Sequence, residues 1–187
     1  MTTINTATTL EALKKYILVA PENTDKDALL TMLLESCTEA AERFLGRYII
    51  ARDINCEPHD FEGLSTKYIQ LENYPVVEIT QIMQEGVLVP SASYKIDARS
   101  GIIKNTLSHW RGVVSVDYKA GLANTVENVP PNIQLALWQW VADILRLQDS
   151  CGARSETLGD YSVSYYDEHA IPPAVALLLE PYRKVSL

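Results

Sequence analysis

The amino-acid sequence predicts an α+β fold that is mainly α: an antiparallel helical bundle with an inserted small antiparallel β-sheet region and a C-terminal arm. Two observations carry this prediction. Apolar residues recur with the period of a helix towards both ends, whereas β-branched and aromatic residues dominate the middle. The changes of period place the N-terminal helices in residues 1–46, the inserted β-region in 47–120, and the C-terminal helices, extended arm and tail in 121–187.

Two helices are predicted in the first segment. "TLEALKKYILVA" begins with Thr8 or Thr9 as a candidate N-cap, and Glu11 has the spacing of a capping box from Thr8. "NTDKDALLTMLLESCTEAAERFLG" has a wide apolar stripe, and Gly46 is suited to end it. The face of the first helix is predicted from the recurrence of Leu10, Leu13, Ile17 and Leu18.

The middle and C-terminal segments follow the same logic. "KYIQL", "VVEITQIMQ" and "GVVSVDYKAG" are typical strands, and Gly86 and Gly101 mark turns between strands. The helical period returns in "PPNIQLALWQWVADILRLQDS", where Pro130 and Pro131 suit a first turn. A short last helix is predicted from Pro172.

Composition limits the classes of function. The net charge of −8 and pI of about 4.9 argue against a large basic face that grips phosphates. Cys37, Cys56 and Cys151 are odd in number and far apart, which predicts neither a disulfide framework nor a zinc site. No apolar run reaches about 18 residues, so no membrane span is expected, and the N-terminus does not resemble a signal peptide.

Motifs for chemistry are not found. The sequence has no phosphate-binding glycine motif and no nucleophile elbow, so we expect no enzyme, cofactor or metal. Two alternatives stay open. One is a small enzyme that uses carboxylates such as Asp60 and Glu62, which would have to face each other across a cleft. The other is a binding module that stacks bases on Trp110.

Aromatic residues supply candidate contact surfaces. Trp138 and Trp140 point about 200° apart on a helix, so both cannot face the same core. We assign Trp140 to the core, and we expect Trp138 to pack against a second surface, such as another subunit. In "SETLGDYSVSYYDE" (155–168), the alternation of Tyr161, Val163 and Tyr165 with polar residues predicts a short strand or arm. Its partner is either the sheet of the middle segment or another copy of the chain. The predicted subunit-interface residues are Trp138, Tyr161, Val163 and Tyr165.

Several phrases in their order resemble one known family. They are "TLEALKKYIL", "DALLTMLLESCTEAAERFLGR", "IQLENYPVVEITQI", "YKIDARSGII", "HWRGVVSVDYKAGL", "VPPNIQLALWQWVADIL" and "SETLGDYSVSY". Together they resemble the head–tail connector proteins (adaptor, or head completion proteins) of tailed bacteriophages, in the longer form that carries a β-insertion. The resemblance covers about residues 8–183.

The resemblance implies a structural virion protein rather than an enzyme. Such proteins form a ring, usually of about twelve copies, between the portal and the tail or head-closure proteins, and extend the DNA channel. The implied partners are other copies of the chain, the portal, a downstream head-closure or tail protein, and packaged DNA that passes without sequence-specific binding. The implied location is the head–tail junction, reached from the host cytoplasm during assembly. A head-closure or stopper protein is the alternative. By position, the resemblance assigns the portal contact to Tyr182, Arg183, Lys184, Val185 and Leu187.

Overall fold

The chain divides into two compact units in the computed structural model. The helical unit combines Met1–Gly46 with Val126–Leu187, and the β unit is Arg47–Thr125. The structure describes residues 6–149, 155–158, 161–164 and 171–184.

Four helices build the helical unit: α1 (Leu10–Tyr16), α2 (Asp27–Leu45), α3 (Pro131–Asp149) and α4 (Pro173–Leu179), with a 3₁₀ turn at Glu180–Tyr182. The Thr9 hydroxyl accepts the Ala12 N–H at 3.2 Å, so Thr9 is the N-cap of α1. Gly46 ends α2 in the left-handed region, at φ +66°. α3 packs against α2 and α4, and the fully buried side chains between the helices include Leu13, Leu30, Leu34, Leu45, Ile133, Leu137, Val141, Val175 and Leu179.

A buried lysine fixes the connection between α1 and α2. Lys14 is 4% exposed, and its Nζ lies 2.5 Å from Asp27 Oδ1 at the start of α2. The same ammonium donates to the carbonyl oxygens of Asn23 at 2.8 Å and Pro21 at 3.2 Å. The three N–H groups of the ammonium therefore each have an acceptor in the connection or at the start of α2. Because all three are paired, the buried charge is tolerated.

Seven strands build the β unit, and every pairing in its two sheets is antiparallel. One sheet has the order β1-β7-β3-β4, and the other has the order β2-β6-β5. The strands are β1 (Arg52–Thr66), β2 (Tyr68–Gln70), β3 (Val76–Gln84), β4 (Val87–Leu88), β5 (Tyr94–Asp97), β6 (Ile102–Asn105) and β7 (Trp110–Ala120).

The two sheets share one apolar core. Ile69 and Ile103 come from the three-stranded sheet, and Val114, Val116 and Tyr118 come from the four-stranded sheet. All five are at most 1% exposed. Because alternate residues of a strand point to opposite faces, each sheet turns one face inward to this core and the other outward.

The prediction of a mainly α fold is wrong. Seven strands form two antiparallel sheets, and strand residues are about as numerous as helical ones. The reason lies in β1, whose 15 residues pair with β7 across two register shifts, between Ile54 and Glu57 and between Phe61 and Thr66. Bulges of this kind break the alternation of apolar and polar residues. The sequence pattern therefore understates how much of the chain is strand.

A buried carboxylate connects the two long strands to the segment that precedes β3. Glu57 accepts hydrogen bonds from the Tyr118 hydroxyl and from the Glu72 N–H, the latter at 2.9 Å, and His59 Nε2 lies 3.1 Å from its Oε1. The Asn73 N–H donates to the Tyr118 hydroxyl at 3.2 Å. Burial opposes ionisation of Glu57, but the donors from His59, Tyr118 and Glu72 outweigh it and hold the pKa of Glu57 below its ordinary value.

Glu57 is expected to make the stability of the β unit depend on pH. A carboxyl whose pKa is lowered by folding adds stability above its unfolded pKa, about 4.3, and that stability is lost as the pH falls through the lower folded pKa. At neutral pH, Glu57→Gln is therefore expected to reduce the free energy of unfolding by about 1–3 kcal/mol. Urea denaturation at neutral pH and at several acidic values should show the two chains converging as the pH falls. A gap of constant size at every pH would contradict an ionised Glu57.

The chain enters and leaves the β unit through two segments that lie side by side. Leu122 N–H donates to Tyr48 O at 3.0 Å, Ala123 N–H to Ile49 O at 2.9 Å, and Ala51 N–H to Ala123 O at 2.8 Å. Between them, a Cβ added at Gly121 would lie 2.4 Å from the Ala51 Cα. Only glycine allows the two backbones to approach this closely.

The predicted arm is part of a hairpin. Strand β8 (Ser155–Leu158) pairs antiparallel with β9 (Tyr161–Ser164), with Glu156 opposite Val163. Within the chain, β9 therefore pairs with the residues just before it and not with a sheet of the β unit, whereas pairing with another copy stays a prediction. The sequence pattern missed β8 because "SETL" lacks β-branched and aromatic enrichment.

Candidate assembly surfaces

Trp138, the predicted interface residue of α3, is half-buried by its own chain. Its indole N–H donates to the Thr8 hydroxyl at 2.9 Å, and its ring centroid lies 5.6 Å from that of Tyr16. Trp140 is also only half-buried, so it is not the central core residue that its helix position predicts. Trp138 therefore joins α3 to α1 and keeps part of its ring accessible to a neighbour.

Apolar side chains lie exposed on three parts of the helical unit. Leu18, after α1, is 92% exposed, Met32 on α2 is 55% exposed, and Leu177 on α4 is 76% exposed. The sequence analysis missed all three as surface residues, and it placed Leu18 on the inner face of a longer helix. α1 ends at Tyr16 instead, and Leu18 has a positive φ of 59°. The available signal was Pro21, which already disfavours helix just before it.

A groove of about 570 Å³ lies beside Leu18. Its apolar lining includes Tyr16, Leu30 and Leu145, and its charged lining includes Lys26 and Arg146. The groove is thus lined by both apolar and basic side chains, and one of them, Tyr16, also contacts Trp138.

The first of the predicted portal-contact residues are held against α2. The Arg183 guanidinium lies 5.2 Å from the Phe44 ring centroid, and the Lys184 N–H donates to Leu45 O at 2.7 Å. Tyr182 is half-buried. These contacts fix the chain against the C-terminal end of α2 as far as Lys184. Val185 and Leu187 lie outside the described residues, as does Tyr165 of the predicted interface set, whereas Tyr161 and Val163 lie in β9.

Trp110 cannot serve as a base-stacking platform. It is 0% exposed and belongs to the core between the two sheets. Stacking on a base requires an accessible ring face. The binding-module alternative therefore loses the residue on which it depended.

The carboxylates considered for catalysis form a local turn. The Glu62 N–H donates to Asp60 Oδ1 at 2.9 Å, and both residues are exposed on β1. This is an Asx-type contact between near neighbours, not two carboxylates across a cleft. Among the described residues, no group of three or more His, Cys, Asp or Glu is placed to hold a metal ion. Burial raises the pKa of the Cys37 thiol to about 12, which leaves it unreactive at neutral pH.

None of the helices in the part of the chain that the structure describes combines the length and the apolar character that crossing a bilayer requires.

Solved structures of similar fold come from the necks of particles of a gene transfer agent (GTA). One chain, from the neck of an empty GTA particle computed with C6 symmetry, aligns with a TM-score of 0.65 at 18% identity, over 100% of this chain and 95% of that one. A chain from the native neck with C12 symmetry gives the same score and identity over 100% and 94%. A third, from the virion of the native particle, gives 0.55 at 16% identity over 90% and 84%. These likenesses show a shared fold.

A family comparison covers nearly the whole chain. No curated protein sequence matches it. The model of the head completion protein family matches residues 6–185. That span includes both units, and it confirms the family resemblance and the structural role predicted from the sequence. The chain belongs to the head completion protein family and is a structural head–tail adaptor protein of a virion.

Proposed function

We propose that the chain assembles as a ring of about twelve copies that docks on the portal, extends the DNA channel and receives the next head-closure or tail protein. The observation that carries the proposal is the fold likeness over the full chain to neck proteins solved with C6 and C12 symmetry. The ring lies at the head–tail junction of the virion and assembles in the host cytoplasm.

The exposed apolar residues of the helical unit support contacts between copies. Three apolar side chains of the helical unit are largely exposed: Leu18 after α1, Met32 on α2 and Leu177 on α4. Apolar and aromatic side chains are enriched at the centres of interfaces. The accessible part of Trp138 adds an aromatic ring to this surface, as the sequence analysis expected of an interface residue.

The tail supports a contact with the portal. Lys184, the last of the described residues, is anchored to α2, and the sequence continues with the apolar residues Val185 and Leu187. Arg183 and Lys184 place positive charge at the same end of α2. The anchored stretch would then position the apolar residues beyond it for insertion into a portal groove.

The charge of the chain supports passage of DNA without sequence-specific binding. A net charge of −8 per copy is compatible with a channel lining that is rich in carboxylates. Carboxylates repel the phosphate backbone, so the DNA would slide through the ring rather than be held by it.

The portal contact is tested with the tail double variant Val185→Asp/Leu187→Asp. The parent chain mixed with purified portal rings is expected to add about twelve copies per portal, measured by mass photometry and electron microscopy. The tail variant is expected to bind the portal at least about tenfold more weakly, because two charged groups would enter an apolar contact. Its unfolding temperature should match that of the parent.

A matched control introduces two aspartates at exposed apolar positions of the β unit instead of the tail. Leu64→Asp/Leu107→Asp changes two leucines that are 70% and 77% exposed, and it should bind the portal as the parent does. If the tail variant and the parent bind the portal equally well, the tail does not form the portal contact. A parent chain that ignores the portal but adds to a preformed adaptor ring would instead support the head-closure or stopper alternative.

A further inference from the structure

The outer face of the three-stranded sheet of the β unit carries two lysines and one carboxylate, Asp97, which accepts a hydrogen bond from the Ser100 hydroxyl at the following turn. Tyr68, Lys104 and Lys95 lie in one cross-strand row, and all three are exposed. Lys104 Nζ lies 5.7 Å from the Tyr68 ring centroid. Within the described residues, neither lysine forms a salt bridge with a carboxylate. Like charges placed directly opposite each other weaken a sheet, so this row costs stability in the isolated chain. We call Tyr68, Lys95 and Lys104 the basic face.

The outer face of the four-stranded sheet has the opposite charge. Asp53 and Glu78 flank Lys119 in one row, because both pair with it from the neighbouring strands. Asp117 lies one step along β7, and Asp60 lies opposite Val113 further on. Three carboxylates therefore lie near one ammonium, and Asp60 lies further along the same side, opposite a residue six positions before Lys119 on β7. We call Asp53, Asp60, Glu78, Asp117 and Lys119 the acidic face.

The basic face and the acidic face point in opposite directions. The residues between those of the basic face, Ile69, Ile103 and Ile96, lie on the inner side of their sheet. The residues between those of the acidic face include Val116 and Tyr118, which are buried in the same core. Since both sheets turn their inner sides to this core, their outer faces lie on opposite sides of the β unit.

We propose that the basic face of one copy docks against the acidic face of the next copy, so that the β units form a second belt of contacts around the ring. A heterologous, head-to-tail arrangement brings unlike faces of successive copies together, whereas a two-fold arrangement would place a face against itself. Charge complementarity selects a second copy of this chain as the occupant, because lysines are in excess on one face and carboxylates on the other. The docking also relieves the Lys95–Lys104 repulsion. This inference rests on the proposed ring, which the helical unit could form without it.

A zero-length cross-linker tests the docking in assembled particles. Carbodiimide joins an ammonium directly to a carboxylate, so it reports only contacting pairs. Lys95 or Lys104 is expected to couple to Asp53, Glu78 or Asp60, as identified by mass spectrometry of neck-containing particles. Such a link can form only between copies, because the two faces lie on opposite sides of one β unit.

The outcomes separate the docking from the ring. If electron microscopy shows a ring of this chain, but both lysines couple only to other carboxylates, to another protein or to nothing, the docking is overturned and the ring stands. If the particles contain no ring of this chain, the proposed function fails and the docking fails with it.

Charge reversal provides a second measurement. Lys95→Glu/Lys104→Glu and Asp53→Lys/Glu78→Lys should each lower incorporation into particles by at least about tenfold, while the unfolding temperature of each purified chain stays within a few degrees of the parent. The chain with all four changes has the parent's net charge and should regain incorporation. Co-expression of the two double variants should also restore it, since alternating copies again present unlike faces. Failure of both rescues, with all chains folded, would overturn the docking.

Discussion

Trp110→Ala is expected to reduce the free energy of unfolding of the β unit by about 3–5 kcal/mol. Trp110 is fully buried where the three-stranded and four-stranded sheets meet, among Ile69, Val114 and Val116. Removing the indole leaves a cavity that two paired sheets cannot close by collapse, so the transfer cost and the cavity cost add. Urea denaturation followed by far-ultraviolet circular dichroism measures the loss.

Two further variants make this result specific. Trp140→Ala removes the same side chain from a half-buried position on α3, and it should cost clearly less, about 1–2 kcal/mol. Trp110→Phe should recover most of the loss, because the indole nitrogen has no hydrogen-bond partner within the described residues. A larger cost at Trp140 than at Trp110 would contradict the placement of the two rings.

Lys14→Ala is expected to destabilise the helical unit by about 3–5 kcal/mol, because it breaks a buried ion pair and leaves its partner uncompensated. The loss would have two parts. Asp27 would lose the ammonium 2.5 Å away, and the Pro21 and Asn23 carbonyls would lose their donor. The connection between α1 and α2 would then lose the side chain that joins it to α1. Thermal unfolding and hydrogen exchange of residues 18–26 measure both consequences.

The next residue in the chain is the control for Lys14. Lys15 also forms a salt bridge, with Glu11 at 2.7 Å, but its side chain is 67% exposed. Exposed pairs of this kind are worth about 0.3–0.5 kcal/mol, so Lys15→Ala should change stability little. Lys14→Met keeps the volume and removes the charge, and it should also destabilise, since Asp27 stays unpaired. Equal effects at Lys14 and Lys15 would show that burial of Lys14 adds nothing.

Local periodicity predicted that the helices exist, although α1 is shorter than its pattern suggested. The apolar stripe and Gly46 predict α2 and its end at Leu45, whereas the predicted segment starts at Asn23, a few residues before the observed start at Asp27. The two N-cap candidates of α1 were left open, and the geometry favours Thr9. Both features depend on residues within four positions of each other, which is the range that a sequence pattern reports well.

Tertiary partners decided the features that the pattern missed. Trp110 lies between His109 and Arg111, so its sequence neighbours suggest a surface, and only the pairing of two sheets buries it. Lys14 is buried because Asp27 and two carbonyls come to it from a loop that has no regular period. The opposite charges of the two sheet faces likewise depend on strand register, which the bulges of β1 hide from the sequence.

The paired segments at Tyr48–Ala51 and Gly121–Ala123 have a consequence for the evolution of such adaptors. The incoming and outgoing backbones are hydrogen-bonded side by side and run parallel at Ile50 and Ala123, so contacts within the β unit hold both of its ends together. Changes of length elsewhere in the β unit can then occur without separating these two ends. We therefore expect evolution to exchange the β unit as a whole. Any unit that replaces it would have to keep a glycine at the position of Gly121, where the two backbones meet.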